Sequence, residues 1–194
     1  MRNLIAACSI LLLAGAISAG PVAAATPEKP AVLSHEERLD ALFSQLKREG
    51  NEKAAERIAE RIREEWMRSG SASIDLMMQW SKTAMDEQKY DVALDFLDQI
   101  VTLSPAFAEG WNRRATVHFM MRNYRKSMSD IDRTLQLEPR HFGALAGLAQ
   151  IMKDAGRKEL ALDAFQRVLD IYPMLRGVQN EVGALAEELA GEGI

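Results

Sequence analysis

The sequence runs to 194 residues, 47% hydrophobic and 27% charged, with a formal net charge of −4. That balance is globular and excludes a wholly disordered chain, and the negative sign excludes nucleic-acid binding through bulk charge. Aromatics make up 6% and cysteine occurs once, as Cys8; the first favours helix over a β-sandwich or barrel, and the second excludes an intramolecular disulfide framework and a cysteine-rich zinc site.

Residues 1–25 read as a secretory signal peptide. Arg2 is the only charged residue before Glu28, and an uncharged stretch runs from Leu4 to Ala25, most apolar from Ile10 to Leu13. Gly15, Gly20 and Pro21 break it. Ala23 and Ala25 then supply the A-x-A pattern at which such peptides are cut, which predicts cleavage after Ala25. Two other readings stand beside this one. The stretch is long enough to span a bilayer as a retained anchor. Ile5-Ala6-Ala7-Cys8 has the residue types of a lipobox, although the seven residues before Cys8 leave no room for an apolar region. Cleavage leaves a cysteine-free chain, suited to a disulfide-forming compartment. The expectation is a periplasmic or secreted bacterial protein.

Residues 26–34 form a linker, and residues 35–73 predict a helical hairpin with an insertion. Ser34 and Glu37 have capping-box spacing. Leu39, Leu42 and Leu46 make one apolar stripe, Gly50 stands at a turn, and Ala55, Ala59 and Ile62 make a second stripe. Of the residues from Glu36 to Arg68, nine are acidic and eight basic. This predicts a solvated outer face with pairs such as Glu49/Lys53 and Glu64/Arg68.

An internal repeat follows. Pro105, Pro139 and Pro173 are each 34 residues apart, as are Tyr90 and Tyr124, and the small residues Ala93, Ser127 and Ala161. Three units result: residues 74–107, 108–141 and 142–175. Each has two amphipathic stretches, and a small residue at the helix crossing lets two backbones approach closely. The proline cannot continue a helix interior, so it closes each unit. Gly156 falls in a turn between helices, where glycine adopts a left-handed cap cheaply. The hairpin over 36–69 falls in register with these units as a degenerate fourth, preceding them, with Gly70 to Ser73 inserted between. After Pro173, residues 176–194 carry the stripe Val178, Val182, Leu185 and Leu189, with Gln179, Asn180, Glu187 and Glu188 on the other face. That pattern predicts a cap helix.

With Trp111 early in the second unit and Ala115 at its eighth place, the pattern resembles the tetratricopeptide repeat family over residues 74–175. The resemblance implies an all-α fold, a right-handed α-solenoid of helix-turn-helix repeats. It makes Tyr90, Ala93, Pro105, Trp111, Tyr124, Ser127, Pro139, Ala161 and Pro173 the packing residues. It also implies a concave groove lined by the first helix of each unit. Carried over place by place, the groove comprises Met78, Lys82 and Met85 from the first unit. The second adds Asn112, Thr116, Phe119 and Met120, and the third Gln150 and Lys153. An apolar wall rimmed by polar groups suits a peptide or helix of another protein, and methionine suits variable partners. Some family members clamp a C-terminal carboxylate with Lys and Asn side chains. Here Met78, Lys82, Arg113, Gly143 and Gly147 stand at those places, so that clamp is not expected.

Catalytic patterns do not emerge. His35, His118 and His141 form no H-E-x-x-H and no helical pair, and no P-loop, Rossmann or G-x-S-x-G pattern occurs. His118, at a core place of its unit, is expected to be a satisfied core or half-buried residue rather than a ligand. The sequence therefore predicts a non-catalytic protein-binding scaffold, with no cofactor, no metal and no nucleic acid, and with a membrane only through an uncleaved signal. The alternatives are a self-assembling homo-oligomer module and a membrane-anchored envelope assembly factor.

Overall fold

The computed structural model describes residues 33–192, so the signal segment, its cleavage site and most of the linker lie outside the described residues. The described residues form nine helices and no strand. A first hairpin comprises α1 (His35–Arg48) and α2 (Glu52–Trp66). Three repeat hairpins follow: α3 (Ala72–Asp86) with α4 (Tyr90–Leu103), α5 (Ala108–Met120) with α6 (Tyr124–Leu137), and α7 (Phe142–Asp154) with α8 (Lys158–Ile171). The last element is α9 (Arg176–Glu192). Each repeat hairpin packs on the next, giving an α-solenoid.

Local chemistry sets the helix ends. At α1 the capping box forms in full: the Glu37 amide donates to Ser34 Oγ and the Ser34 amide to the Glu37 carboxylate, at 3.2 and 2.7 Å. Within each repeat the first helix ends on a left-handed residue, Gln88, Arg122 or Gly156, at φ 59°, 60° and 69°. The following amide reaches back five residues, Lys89 to Ala84, Asn123 to His118 and Arg157 to Met152. These bonds satisfy carbonyls that would otherwise be orphaned at the helix end. Glycine adopts that conformation freely, whereas Gln88 and Arg122 carry the steric cost of a Cβ there. Gly50 does not take up this conformation. The α1–α2 turn instead relies on Asn51, whose side chain accepts from the Ala54 amide.

The small residues lie where the helices cross. Ala93, Ser127 and Ala161 are buried, and Ser127 Oγ donates to the Ala115 carbonyl at 2.8 Å. Gly110 marks a close approach of α5 to α4: a Cβ there would sit 2.7 Å from Ile100 Cγ2. Tyr124 packs beside Phe119, and Trp111 donates its indole N–H to the Pro105 carbonyl. Two apolar clusters fill the first units, one built on Ile74, Met77, Leu97, Ile100 and Val117, the other on Ala115, Ile131, Ala144 and Ile151.

The first hairpin departs from its expected place. As a fourth unit in register, it should stack on α3 and α4. Instead its buried stripes, Leu39, Leu42 and Leu46 from α1 and Ala55, Ala59 and Ile62 from α2, form one cluster with α7, α8 and α9. Burying an aliphatic side chain such as Leu46 or Ile62 contributes about 1.5–3 kcal/mol. The reason for this placement lies at the turn after Pro139. The Trp66 ring stacks on His141 at 4.0 Å and meets Phe142 at 4.9 Å. The Arg140 guanidinium lies 4.3 Å from the Phe43 ring and bonds Asp40 at 2.6 Å. Further along, Arg176 bonds Glu52 at 2.9 Å. The charges also pair differently from the expectation, as Arg63–Glu60 and Arg68–Glu65. At the other end of the array, α9 buries Val178 and Leu185 and turns Asn180, Glu187 and Glu188 outward.

Candidate functional site

The first helix of each repeat buries one face and leaves a second, inner face open. On α5 that face carries Asn112, Thr116 and Phe119, all half-buried, and Met120, 47% exposed. Opposite them on α7 stand Gly143 and Gly147. An apolar notch of about 120 Å³ opens between α5 and α7, floored by Ala115, Ile131 and Ala144, and it stays open because Gly147 has no side chain to set against Ile131. An apolar cavity of about 150 Å³ holds a benzene ring, so the smaller notch has room for one aliphatic side chain. Asn112 donates to Glu109, and Thr116 to the Asn112 carbonyl, which fixes the polar lip.

The remaining predicted groove residues surround this notch unevenly. Met85 is half-buried on α3. Lys82 is exposed and bridged to Asp86 at 2.5 Å. Gln150 donates to Asp154, and Lys153 to Glu181 of α9. The Glu181 hydrogen bond raises the Lys153 ammonium above the ordinary lysine range, so it stays charged. Met78 is not on this face: it is 1% exposed, inside the cluster with Ile74 and Val117. A long unbranched apolar side chain at the border of a core face gains by folding into it. Both lysines are engaged by carboxylates, and glycines occupy two further clamp places, so the face offers no pair of free cations to a terminal carboxylate.

A buried polar network beside Trp66 escaped the sequence reading. His141 is 2% exposed; its Nδ1 accepts from the Ala144 amide at 3.0 Å, which leaves Nε2–H to donate to Glu109 at 3.1 Å. Arg113 bonds the other Glu109 oxygen at 2.8 Å. Burial works to raise the Glu109 carboxyl, but the bonds from His141 and Arg113 outweigh it and hold it below the ordinary carboxylate range. Both ring nitrogens of His141 are engaged and its face is covered, which gives the network a structural role. The available signal was Trp66, a lone aromatic ending a charged helix. His118 is buried, as expected of a core place. Burial pushes its ring below the ordinary histidine range, against the pull of Asp130. Among the described residues, no group of three or more His, Cys, Asp or Glu is placed to hold a metal ion, and no helix is long and apolar enough to cross a membrane.

Repeated helical hairpins with small residues at their crossings define a solenoid of the tetratricopeptide class. No family model matches the chain. A TPR repeat-containing protein of Rhizobium etli is 50% identical over 198 aligned positions, covering 98% of this chain and 97% of the relative. The chain therefore belongs to the tetratricopeptide repeat family. Among solved structures, the first TPR of Spaghetti (RPAP3) bound to the HSP90 peptide SRMEEVD superposes with a TM-score of 0.57 at 20% identity, covering 60% of this chain and 93% of that one. MamA gives 0.57 at 19% identity, over 71% and 81% of the two chains. These structures share the fold, which typically serves protein–protein interaction.

Proposed function

We propose that this protein is a non-catalytic scaffold that docks an extended or helical segment of another protein on the inner face of α3, α5 and α7. The α5–α7 notch carries the reading. It is apolar, it lies at the centre of the repeat array, and its lip of Asn112 and Thr116 can exchange hydrogen bonds with a peptide backbone. Phe119, Met120 and Met85 supply adaptable apolar contact around it. The occupant is an apolar side chain of the partner with its backbone along the face, rather than a C-terminal carboxylate. We further propose that the scaffold works in the bacterial periplasm, after loss of residues 1–25; the support is the A-x-A pattern at Ala23 and Ala25 and the cysteine-free remainder.

The test is a crosslinking pull-down from the native envelope through a C-terminal tag, comparing wild type with Met85→Ala/Phe119→Ala and with Gly147→Leu, which fills the notch. Partners recovered with wild type and lost with both variants support the groove. Recovery of the protein alone, equally from all three forms, sinks it in favour of self-assembly. Mass spectrometry of the bait reports its first residue: Thr26 supports export with cleavage, and an intact Met1 favours the membrane-anchored reading.

A further inference from the structure

The first repeat presents an apolar face that its successors keep covered. The register shows why. The third and seventh places of a repeat's first helix lie against the second helix of the repeat before. In the second unit the third place is Gly110, under Ile100 and Val101 of α4, and the seventh is Arg114, bonded to Asp98 of α4. In the third unit they are Ala144 and Leu148, both packed in the cluster with Ile131 and Leu135 of α6. In the first unit they are Leu76 and Trp80, 42% and 48% exposed. The hairpin that register places before them is docked on α7, α8 and α9 instead.

The uncovered face extends onto α4. Phe96 lies against Trp80 with ring centroids 5.5 Å apart, and Val92 and Leu103, on the same side of the helix, are 44% and 68% exposed. Its border is acidic. From Tyr90 to Leu103 the helix carries Asp91, Asp95 and Asp98 and no Lys or Arg; Asp98 pairs with Arg114, while Asp91 and Asp95 are exposed with no ion pair among the described residues. The charge pattern bears on the occupant. A second copy meeting face to face would set two acidic borders together. A second copy meeting head to tail would bring the exposed Glu187 of α9 against the same border, Glu188 being paired with Lys158.

We infer that Leu76, Trp80, Val92, Phe96 and Leu103 form a second docking surface, separate from the inner face, for an amphipathic helix of another protein with Lys or Arg flanking its apolar stripe. The helix takes the place that α4 and α6 occupy in the later units, as the second helix of a missing preceding repeat. This is the helix-in-groove mode, read by side chains at three- and four-residue spacing.

The probe is a labelled amphipathic peptide of about five helical turns, with Leu and Ile at three- and four-residue spacing and Lys at the flanks. Its twin carries Glu for every Lys. Anisotropy titration against the full chain is expected to show the Lys peptide binding at least tenfold more tightly than the twin. Leu76→Ser/Trp80→Ser should weaken it at least tenfold, while Phe119→Ala on the inner face leaves it unchanged. Asp91→Lys/Asp95→Lys keeps the apolar face and should reverse the preference toward the Glu twin; it also covers the case in which the serine variant folds poorly. Equal binding of both peptides, or insensitivity to both double variants, overturns the inference. So does a concentration-dependent doubling of mass in light scattering that Trp80→Ser abolishes, which assigns the face to a second copy. Binding that appears only when residues 1–32 are removed assigns it to the protein's own leader and overturns it equally.

Discussion

The two ends of the repeat array are finished differently. The trailing end is closed by α9, which buries Val178 and Leu185 on α7 and α8 and shows carboxylates to water. The leading end shows water Trp80, Leu76 and Val92. Repeat arrays need capping where the last unit lacks a neighbour, and this chain has the material for two caps. It uses both toward the trailing half: the α1–α2 hairpin stacks Trp66 on His141 and Phe142 and leaves Trp80 and Phe96 of α3 and α4 without a cover. The contrast teaches that repeat register predicts the shape of a unit better than its neighbour.

The sharpest way to break the contrast is Trp66→Ala. Loss of a large buried aromatic costs about 3–5 kcal/mol, and here it also strips the stack from His141. Chemical denaturation should show that loss, with α1 and α2 exchanging amide protons before the repeats do. Leu185→Ala, at the closed end, should cost about 2–5 kcal/mol in the same assay. Gly110→Ala should destabilise by about 1–3 kcal/mol, since the added methyl meets the branched Ile100 side chain in a packed crossing.

Acid sharpens the comparison next. The folded-state pKa of Glu109 lies below its ordinary value. Below that ordinary value the unfolded chain therefore binds the proton first. The stability contributed by this group is complete above the ordinary carboxylate pKa and is lost as pH falls through the depressed one. Glu109→Gln should flatten the decline of melting temperature between about pH 5 and pH 3. At the small end, Gln88→Gly should gain about 1 kcal/mol by relieving a left-handed Cβ. Trp80→Gln, at the open end, should cost about 0.5–1.5 kcal/mol by removing the contact with Phe96. A large loss there would mean that the face is covered in solution.

The repeats were legible because each unit states its own structure. Ala93, Ser127 and Ala161 are small for a local reason, and the 34-residue spacing repeats that reason in phase. Helix ends followed from Ser34, Glu37 and Gly156. The docking of the first hairpin was not legible, because it depends on pairs such as Trp66 with His141, and no spacing rule connects residues so far apart. The inner face was legible in part. Repeat places located Asn112, Thr116 and Phe119, but a place number cannot tell whether a methionine lies on the core's border or inside it, so Met78 was misplaced. The notch was hidden for a related reason: Gly143 and Gly147 read as missing clamp residues, and the room that Gly147 leaves beside Ile131 and Phe119 appears only in three dimensions.

The Asp40–Arg140 and Glu52–Arg176 bonds join residues 100 and 124 positions apart. An array with nearest-neighbour contacts alone folds from any point and unzips from its ends. A strap fastened across sequence separations this large raises the contact order, which slows folding and postpones the closing step until the third repeat and α9 exist to receive it. During synthesis the first hairpin therefore leaves the ribosome long before its docking surface does, and it waits, apolar stripes open, for the C-terminal third of the chain to arrive.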